Sequence, residues 1–142
     1  MTDDRKICTF YVDGYFFGID VHDIQEVIRY QEMNAVPLAD ARISGLINMR
    51  GQIVTAIDMR KRFDFPVMPE GEKPNNIIVR TEDGAVSLLV DSIGDVINIA
   101  CEQFETPPVN LKGEIRSMLR EVCKFDAQLL LILDIEQVLN IR

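Results

Sequence analysis

The sequence has one histidine, His22, and that scarcity removes most catalytic and metal-binding arrangements at the outset. A histidine-based triad has a single candidate base, and no serine sits in a G-x-S-x-G turn. The nearest stretch, Ile43-Ser44-Gly45-Leu46, lacks the first glycine. His22 with Asp20 and Asp23 gives three donors at i, i+2 and i+3 without a fourth, a poor zinc set. A solvated residue opening a helical turn is the expected reading. Glycine loops that cradle phosphates are absent. Acidic pairs such as Glu82-Asp83 sit beside Gly84 and read as solubilising turn residues rather than as a general acid and base. No enzymatic activity, cofactor or metal is expected.

Cysteine is also sparse. Cys8, Cys101 and Cys123 are odd in number and form no Cys-x-x-Cys, and the opening Met-Thr-Asp-Asp-Arg-Lys carries charge instead of an apolar signal region. Reduced, mostly buried thiols in a cytoplasmic protein are expected. The longest apolar run, residues 129–133, is too short to span a bilayer. Basic residues are outnumbered, 15 against 23 acidic, for a net charge of -8. Phosphate backbones and anionic membranes repel such a chain, so neither nucleic acid nor membrane insertion is expected. Arg50, Arg60, Lys61 and Arg62 are a local exception. They read either as a solvated surface with local ion pairs or as a docking patch for an acidic partner.

Short apolar stretches between frequent turns are abundant. Residues 7–12 and 15–19 flank Asp13-Gly14, a two-residue hairpin signal. Strands follow at 26–30, 45–50 and 53–58, the last two separated by the tight turn Gly51-Gln52. Residues 64–76 hold three prolines and one glycine without apolar periodicity, and read as a linker. Beyond them lie strands at 77–81, 86–91, 95–99, 119–125 and 129–133, with an irregular stretch at 105–113. Helices are few and short: 58–63 and 134–139, each opened by an aspartate able to cap free amides, and a turn at 21–25. About ten short strands point to barrels or a sandwich.

An internal repeat organises these strands. Ile24-Gln25-Glu26-Val27-Ile28 resembles Ile93-Gly94-Asp95-Val96-Ile97, and the strand from Ile53 to Asp58 resembles that from Leu129 to Asp134. Each half reads hairpin, I-x-D/E-V-I strand, connection, apolar strand, Asp-capped helix. Two similar five-stranded lobes follow, with no long amphipathic helix to cover either sheet, so each sheet is expected to curl on itself and hide its edges.

The segment Gly45-Leu46-Ile47-Asn48-Met49-Arg50-Gly51-Gln52-Ile53-Val54-Thr55-Ala56-Ile57-Asp58-Met59-Arg60 closely resembles the hallmark of the CheW family of chemotaxis coupling proteins. Residues 17–27, Leu89-Val90-Asp91 through Val96, and 131–136 are similar to further family elements in family order. The resemblance implies an all-β fold with a few short helices, as two SH3-like five-stranded barrels with partly exchanged strands. The approximate division is a first barrel at 14–63, the linker 64–76, a second barrel at 77–133 with strand 7–12 exchanged, and a C-terminal helix at 134–140.

It also implies a function. Family members are cytoplasmic, non-catalytic adaptors recruited to membrane-associated receptor arrays. They join the cytoplasmic hairpin tips of methyl-accepting chemoreceptors to the regulatory domain of a CheA-type histidine kinase, and meet other CheW-like domains in array rings. Alternative readings are an adaptor for surface motility or development, and a small ligand-binding barrel.

Within the hallmark, Gly51 suits a positive φ that fixes the turn aiming Arg50. Asn48 lies two residues earlier on the same strand face. The arginine fork suits carboxylates or carbonyls of a helical partner. Glu26 either holds Arg50 in place or contacts the receptor, and Ile24 is placed in a groove for a receptor helix. Against this binding set stands a purely structural Arg50–Glu26 bridge; the resemblance favours binding. Ile53, Ile57, Leu131 and Leu133 are expected in the core. The sequence departs from the family pattern at Glu121, which stands where a glycine is usual, and this marks a possible altered surface on the second lobe.

Overall fold

The computed structural model describes residues 4–111 and 113–141. β1 (Asp4–Val12) and β2 (Tyr15–Asp20) form the first hairpin. Its turn residues, Asp13 and Gly14, have φ of 50° and 81°, the pair of positive values that lets a tight turn follow the strand twist. A 3-10 turn at Val21–Asp23 leads to β3 (Ile24–Ile28), β4 (Ile43–Met49), β5 (Gln52–Asp58) and α1 (Met59–Arg62). The second half repeats the order. β6 (Asn75–Thr81) and β7 (Gly84–Val90) form a hairpin, followed by β8 (Ser92–Ala100), α2 (Glu114–Ser117), β9 (Leu119–Phe125), β10 (Gln128–Leu133) and α3 (Ile135–Leu139). Asp58 caps α1 by accepting from the Lys61 N–H, and Asp134 caps α3 by accepting from the Glu136 N–H. Sequence reading misses α2, because one turn with two inward residues, Ile115 and the following Met118, is too short for periodicity to register. No described helix is long and apolar enough to cross a membrane.

The strands form two five-stranded sheets, in the orders β8-β1-β2-β10-β9 and β3-β6-β7-β5-β4. The orders superpose through the repeat: β1, β2, β8, β10 and β9 take the places of β6, β7, β3, β5 and β4. Each sheet therefore combines a hairpin from one repeat with three strands from the other. The hairpins join in parallel, β2 to β10 at Phe17 and Leu131, and β7 to β5 from Val86 and Thr55 onward. The division into 14–63 and 77–133 already includes the exchange of strand 7–12, but β2 also lies with β8 to β10, while β6 and β7 lie with β3 to β5. Residues 21–23 and Asp91, none with a positive φ, carry the chain from β2 and from β7 into the other sheet.

Three apolar clusters result. One fills the interior of the first sheet, with Ile7, Phe16, Ile99, Cys123, Leu130 and Ile132. A second fills the other, with Ile47, Val54, Ala56, Ile78 and Leu89. The largest lies between the lobes and draws Phe10 and Phe17 from one sheet, Ile57 and Leu88 from the other, and Met59, Ile115 and Val138 from the three helices. Each lobe has its own cluster, but the largest is shared between reciprocally exchanged lobes, so neither lobe's core is complete without the other. Calorimetry should therefore give one transition, with equal calorimetric and van't Hoff enthalpies; two resolved transitions would refute a common core.

Burial corrects two expectations. Ile57, Leu131 and Leu133 are core residues, but Ile53 is 64% exposed. It lies one residue past the start of β5, opposite Asn48, and Val54 takes the inward position instead. Cys8 and Cys123 are buried, whereas Cys101 is exposed.

Candidate interaction site

β4 and β5 are joined by Arg50 and Gly51, with φ of 50° and 82°. Glycine takes the second angle without the steric cost borne by other residues, and the turn carries Arg50 away from the sheet. The Arg50 side chain is 77% exposed, and its Nη1 donates to Glu26 Oε2 at 2.7 Å. Glu26 belongs to β3, at the opposite edge of the same sheet. The pair thus bridges the two edges of the curled sheet. The other carboxylate oxygen of Glu26, Oε1, is buried and has no hydrogen-bond partner. That leaves Glu26 incompletely satisfied and Arg50 with donors facing solvent.

Of the expected site residues, Glu26, Asn48, Arg50 and Gly51 gather at this end of the lobe. Asn48 is exposed and pairs across the hairpin with Ile53, which puts the two side chains on one face. Ile24 does not join them. A register shift between Ile24 and Glu26 breaks the alternation that would put both on one face, and Ile24 packs against the shared core.

Exposed apolar side chains are what sequence reading missed. Val27 and Ile53 are exposed on the first-lobe sheet, and Val96 and Leu129 on the other. The repeat aligns Val27 with Val96 and Ile53 with Leu129. The signal was present in that alignment, but exposure is needed to see it.

The four basic residues do not form one patch. The Arg62 side chain is 5% exposed; it donates to the carbonyls of Val138 and Gln137, both at 2.9 Å. Burial, and then the Arg42 charge, push its pKa down. Arg60, with 11% side-chain exposure, grips Asp91 through Nε to Oδ1 at 3.0 Å and Nη2 to Oδ2 at 2.6 Å. Only Arg50 and Lys61 of the four are open to solvent. His22 sits in the 3-10 turn with its N–H donated to Asp20 Oδ1 at 2.9 Å. Among the described residues no acidic, histidine or cysteine cluster could hold a metal.

Asp91 supplies a pH test. Burial pushes its carboxyl up, but hydrogen bonds from Arg60 and the Asp13 N–H, with the Arg60 charge, outweigh that and hold it below the ordinary value. A depressed folded-state pKa adds stability above the unfolded value, about 4, and loses it as pH falls through the folded value. Asp91→Asn should therefore flatten the acid limb of the stability curve below about pH 4. Urea midpoints against pH would show this; an unchanged slope would mean that other carboxylates control that limb.

Glu121 is half-buried and paired with Arg5 Nη1 at 2.5 Å, while Arg5 lies 4.1 Å over the Phe104 ring and 3.7 Å from Asp20. In the first lobe Gly45 of β4 pairs with Ala56 just past a register shift, and in the second Glu121 of β9 pairs with Ile132 just past one. The repeat also matches Ala56 to Ile132, so Gly45 and Glu121 are equivalent.

This architecture has known relatives. A family model described as the CheW-like domain matches residues 6–142. The chain is similar to chemotaxis protein CheW of Bacillus subtilis (strain 168), 29% identical over 136 residues, covering 96% of this chain and 87% of that protein. It is similar to chemotaxis protein CheW of Treponema pallidum (strain Nichols), 25% identical over 139 residues, covering 95% and 82%. The crystal structure of scaffolding protein TtCheW from Thermoanaerobacter tengcongensis matches with a TM-score of 0.89 and 26% identity, over 100% of this chain and 95% of that one. With nearly its whole length matched in sequence and fold, this chain belongs to the CheW-like domain family.

Proposed function

We propose that this protein is a non-catalytic, cytoplasmic adaptor that couples chemoreceptor cytoplasmic tips to the regulatory domain of a CheA-type histidine kinase in membrane-associated arrays. The observation that carries the reading is the Arg50 guanidinium, held outward by a two-residue turn and anchored on one side by Glu26. An exposed, oriented arginine fork with donors to spare suits carboxylates and carbonyls on a helical partner. Exposed Ile53 and Asn48 supply apolar and polar area beside it. The matched apolar residues of the two lobes, Val27 with Val96 and Ile53 with Leu129, support contacts with other domains of the same fold, as in a ring. Half-buried Glu121 gives the second lobe a surface that the first lobe lacks.

The test is co-purification and titration calorimetry with receptor hairpin fragments and kinase regulatory domains encoded in the same genome. Binding to both partner classes, weakened by Arg50→Ala, is expected. Binding to neither class would refute the adaptor reading.

A further inference from the structure

The chain crosses between the lobes at two places related by the repeat, and the structure treats them differently. The first crossing is Asp91, between β7 and β8. Its carboxylate takes the two-pronged grip of Arg60, and its Oδ2 also accepts from the Asp13 N–H at 2.8 Å, in the β1–β2 turn. Its backbone N–H donates to the Tyr11 carbonyl at 3.0 Å, and its carbonyl accepts from Asn75 Nδ2 at 3.1 Å. Arg60 Nη1 also reaches the carbonyls of Pro66 and Val67, at 3.1 and 3.3 Å. One arginine–carboxylate pair therefore ties α1, a hairpin turn of the other lobe, the crossing strand and both ends of the linker.

At the second crossing, residues 21–23, no such pair occurs among the described residues. The repeat matches Arg60 to Glu136, the second residue of α3. The hairpin turn at Glu82 and Asp83 faces Asp23 and Glu136 across an open groove of about 1020 Å³. One contact there is an exposed hydrogen bond from Arg80 Nη1 to the His22 carbonyl at 3.3 Å. The lobes are pinned at one crossing and open at the other.

We infer that Arg60 and Asp91 are positioning residues: their two-pronged pair sets the angle between the lobes, and with it the spacing of the interaction surfaces that the lobes carry. The shared apolar core holds the lobes together, but apolar attraction is non-directional. An arginine–carboxylate fork adds geometric specificity, and here it joins α1 of one lobe to the crossing residue and, through it, to the β1–β2 turn of the other. Its removal leaves Asp91 held by single hydrogen bonds, without a two-pronged side-chain grip. The consequence for binding rests on the adaptor reading; the consequence for lobe geometry does not.

The experiment uses the full chain with Cys101→Ser and spin labels at Gln52→Cys and Lys124→Cys, exposed positions on the two sheets. Double electron–electron resonance then reads the distance between the lobes. Arg60→Ala and Asp91→Asn should broaden or shift that distribution, and Arg60→Lys, which keeps the charge but not the fork, should not restore it. Val54→Ala, which empties part of one lobe's own interior, should lower stability without changing the distance. If the bound arrangement falls to about a tenth of the population, affinity for kinase and receptor fragments falls about tenfold. An unchanged distribution in Arg60→Lys and Asp91→Asn would overturn the inference, even if both variants melt early. A changed distribution with unaltered affinity would overturn its link to binding. Failure of the unsubstituted protein to bind either fragment would count against the adaptor reading alone, because the distances still decide the clamp.

Discussion

Replacing Arg50 with alanine should weaken binding to the receptor tip or the kinase regulatory domain by tenfold or more, with almost no change in melting temperature. The two effects separate because they arise from different environments. In the free protein Arg50 is solvated, and its pair with Glu26 is a surface ion pair, worth about 0–1 kcal/mol. At an interface the same guanidinium becomes desolvated and paired, and truncating such a hot spot typically costs about 2 kcal/mol or more, roughly thirtyfold in affinity. Glu26→Ala should weaken binding in the same direction, because it frees the guanidinium from its orientation. It also removes a buried oxygen without a partner, so little stability is lost with it. The two residues touch at 2.7 Å, so the double variant should be non-additive. Titration calorimetry gives the affinities and urea melts the stabilities. A large loss of stability with unchanged affinity in the folded fraction would make the pair a structural bridge.

The parts of this site that sequence reading reached were those governed by local backbone chemistry. Asp13-Gly14 demanded a tight turn, and the structure has one there. The turn between β4 and β5 was placed one residue late, at Gly51-Gln52 instead of Arg50-Gly51. That displacement matters, because it is the positive φ at Arg50 itself that lifts its side chain from the sheet. Aspartates 58 and 134 cap helices as their positions suggested. Alternation was less dependable. It placed Ile53 in the core, and failed there for a reason that alternation does not encode, the end of a hairpin.

Long-range pairing was the least legible. Arg50, Arg60, Lys61 and Arg62 are close in sequence, yet tertiary contacts send them to different tasks. Arg60 goes to Asp91, Arg62 to the carbonyl end of α3, and Arg50 to the far edge of its own sheet. The repeat was visible in the sequence and the family resemblance implied partly exchanged strands, but not that a whole hairpin is exchanged in each direction. Repeat similarity records which strands are equivalent, whereas exchange depends on whether two connections, residues 21–23 and Asp91, fold back or run on into the other sheet, which no residue type there dictates.

Gly45 and Glu121 put the duplication to a quantitative test, because one position carries a bare backbone in one lobe and a charge in the other. The connection before β4 lies close against that strand: Asn34 and Leu46 exchange backbone hydrogen bonds at 2.8 and 2.9 Å. A Cβ at Gly45 would stand 2.6 Å from the Asn34 carbonyl oxygen and 3.1 Å from Met33 Cβ. A backbone oxygen cannot swing aside as a side-chain end can, so the connection must move and lose its paired bonds. Gly45→Ala should cost about 3 kcal/mol, the upper part of the range for forcing atoms into a packed site. For a chain of this size that lowers the melting temperature by about 9 °C. In the second lobe the matching bridge, Glu105 to Val122, has bonds of 2.8 Å in both directions. The residue matching Met33 there is Phe104, which carries the Arg5 guanidinium over its ring, and Arg5 holds the Glu121 carboxylate. Glu121→Gly removes that carboxylate but leaves Arg5 near Asp20, so the loss should be smaller, about 1–2 kcal/mol. Urea melts of the two variants decide the matter. A Gly45→Ala protein as stable as the parent would show that the connection yields freely, and the close approach would then not explain why this position carries glycine in the first lobe.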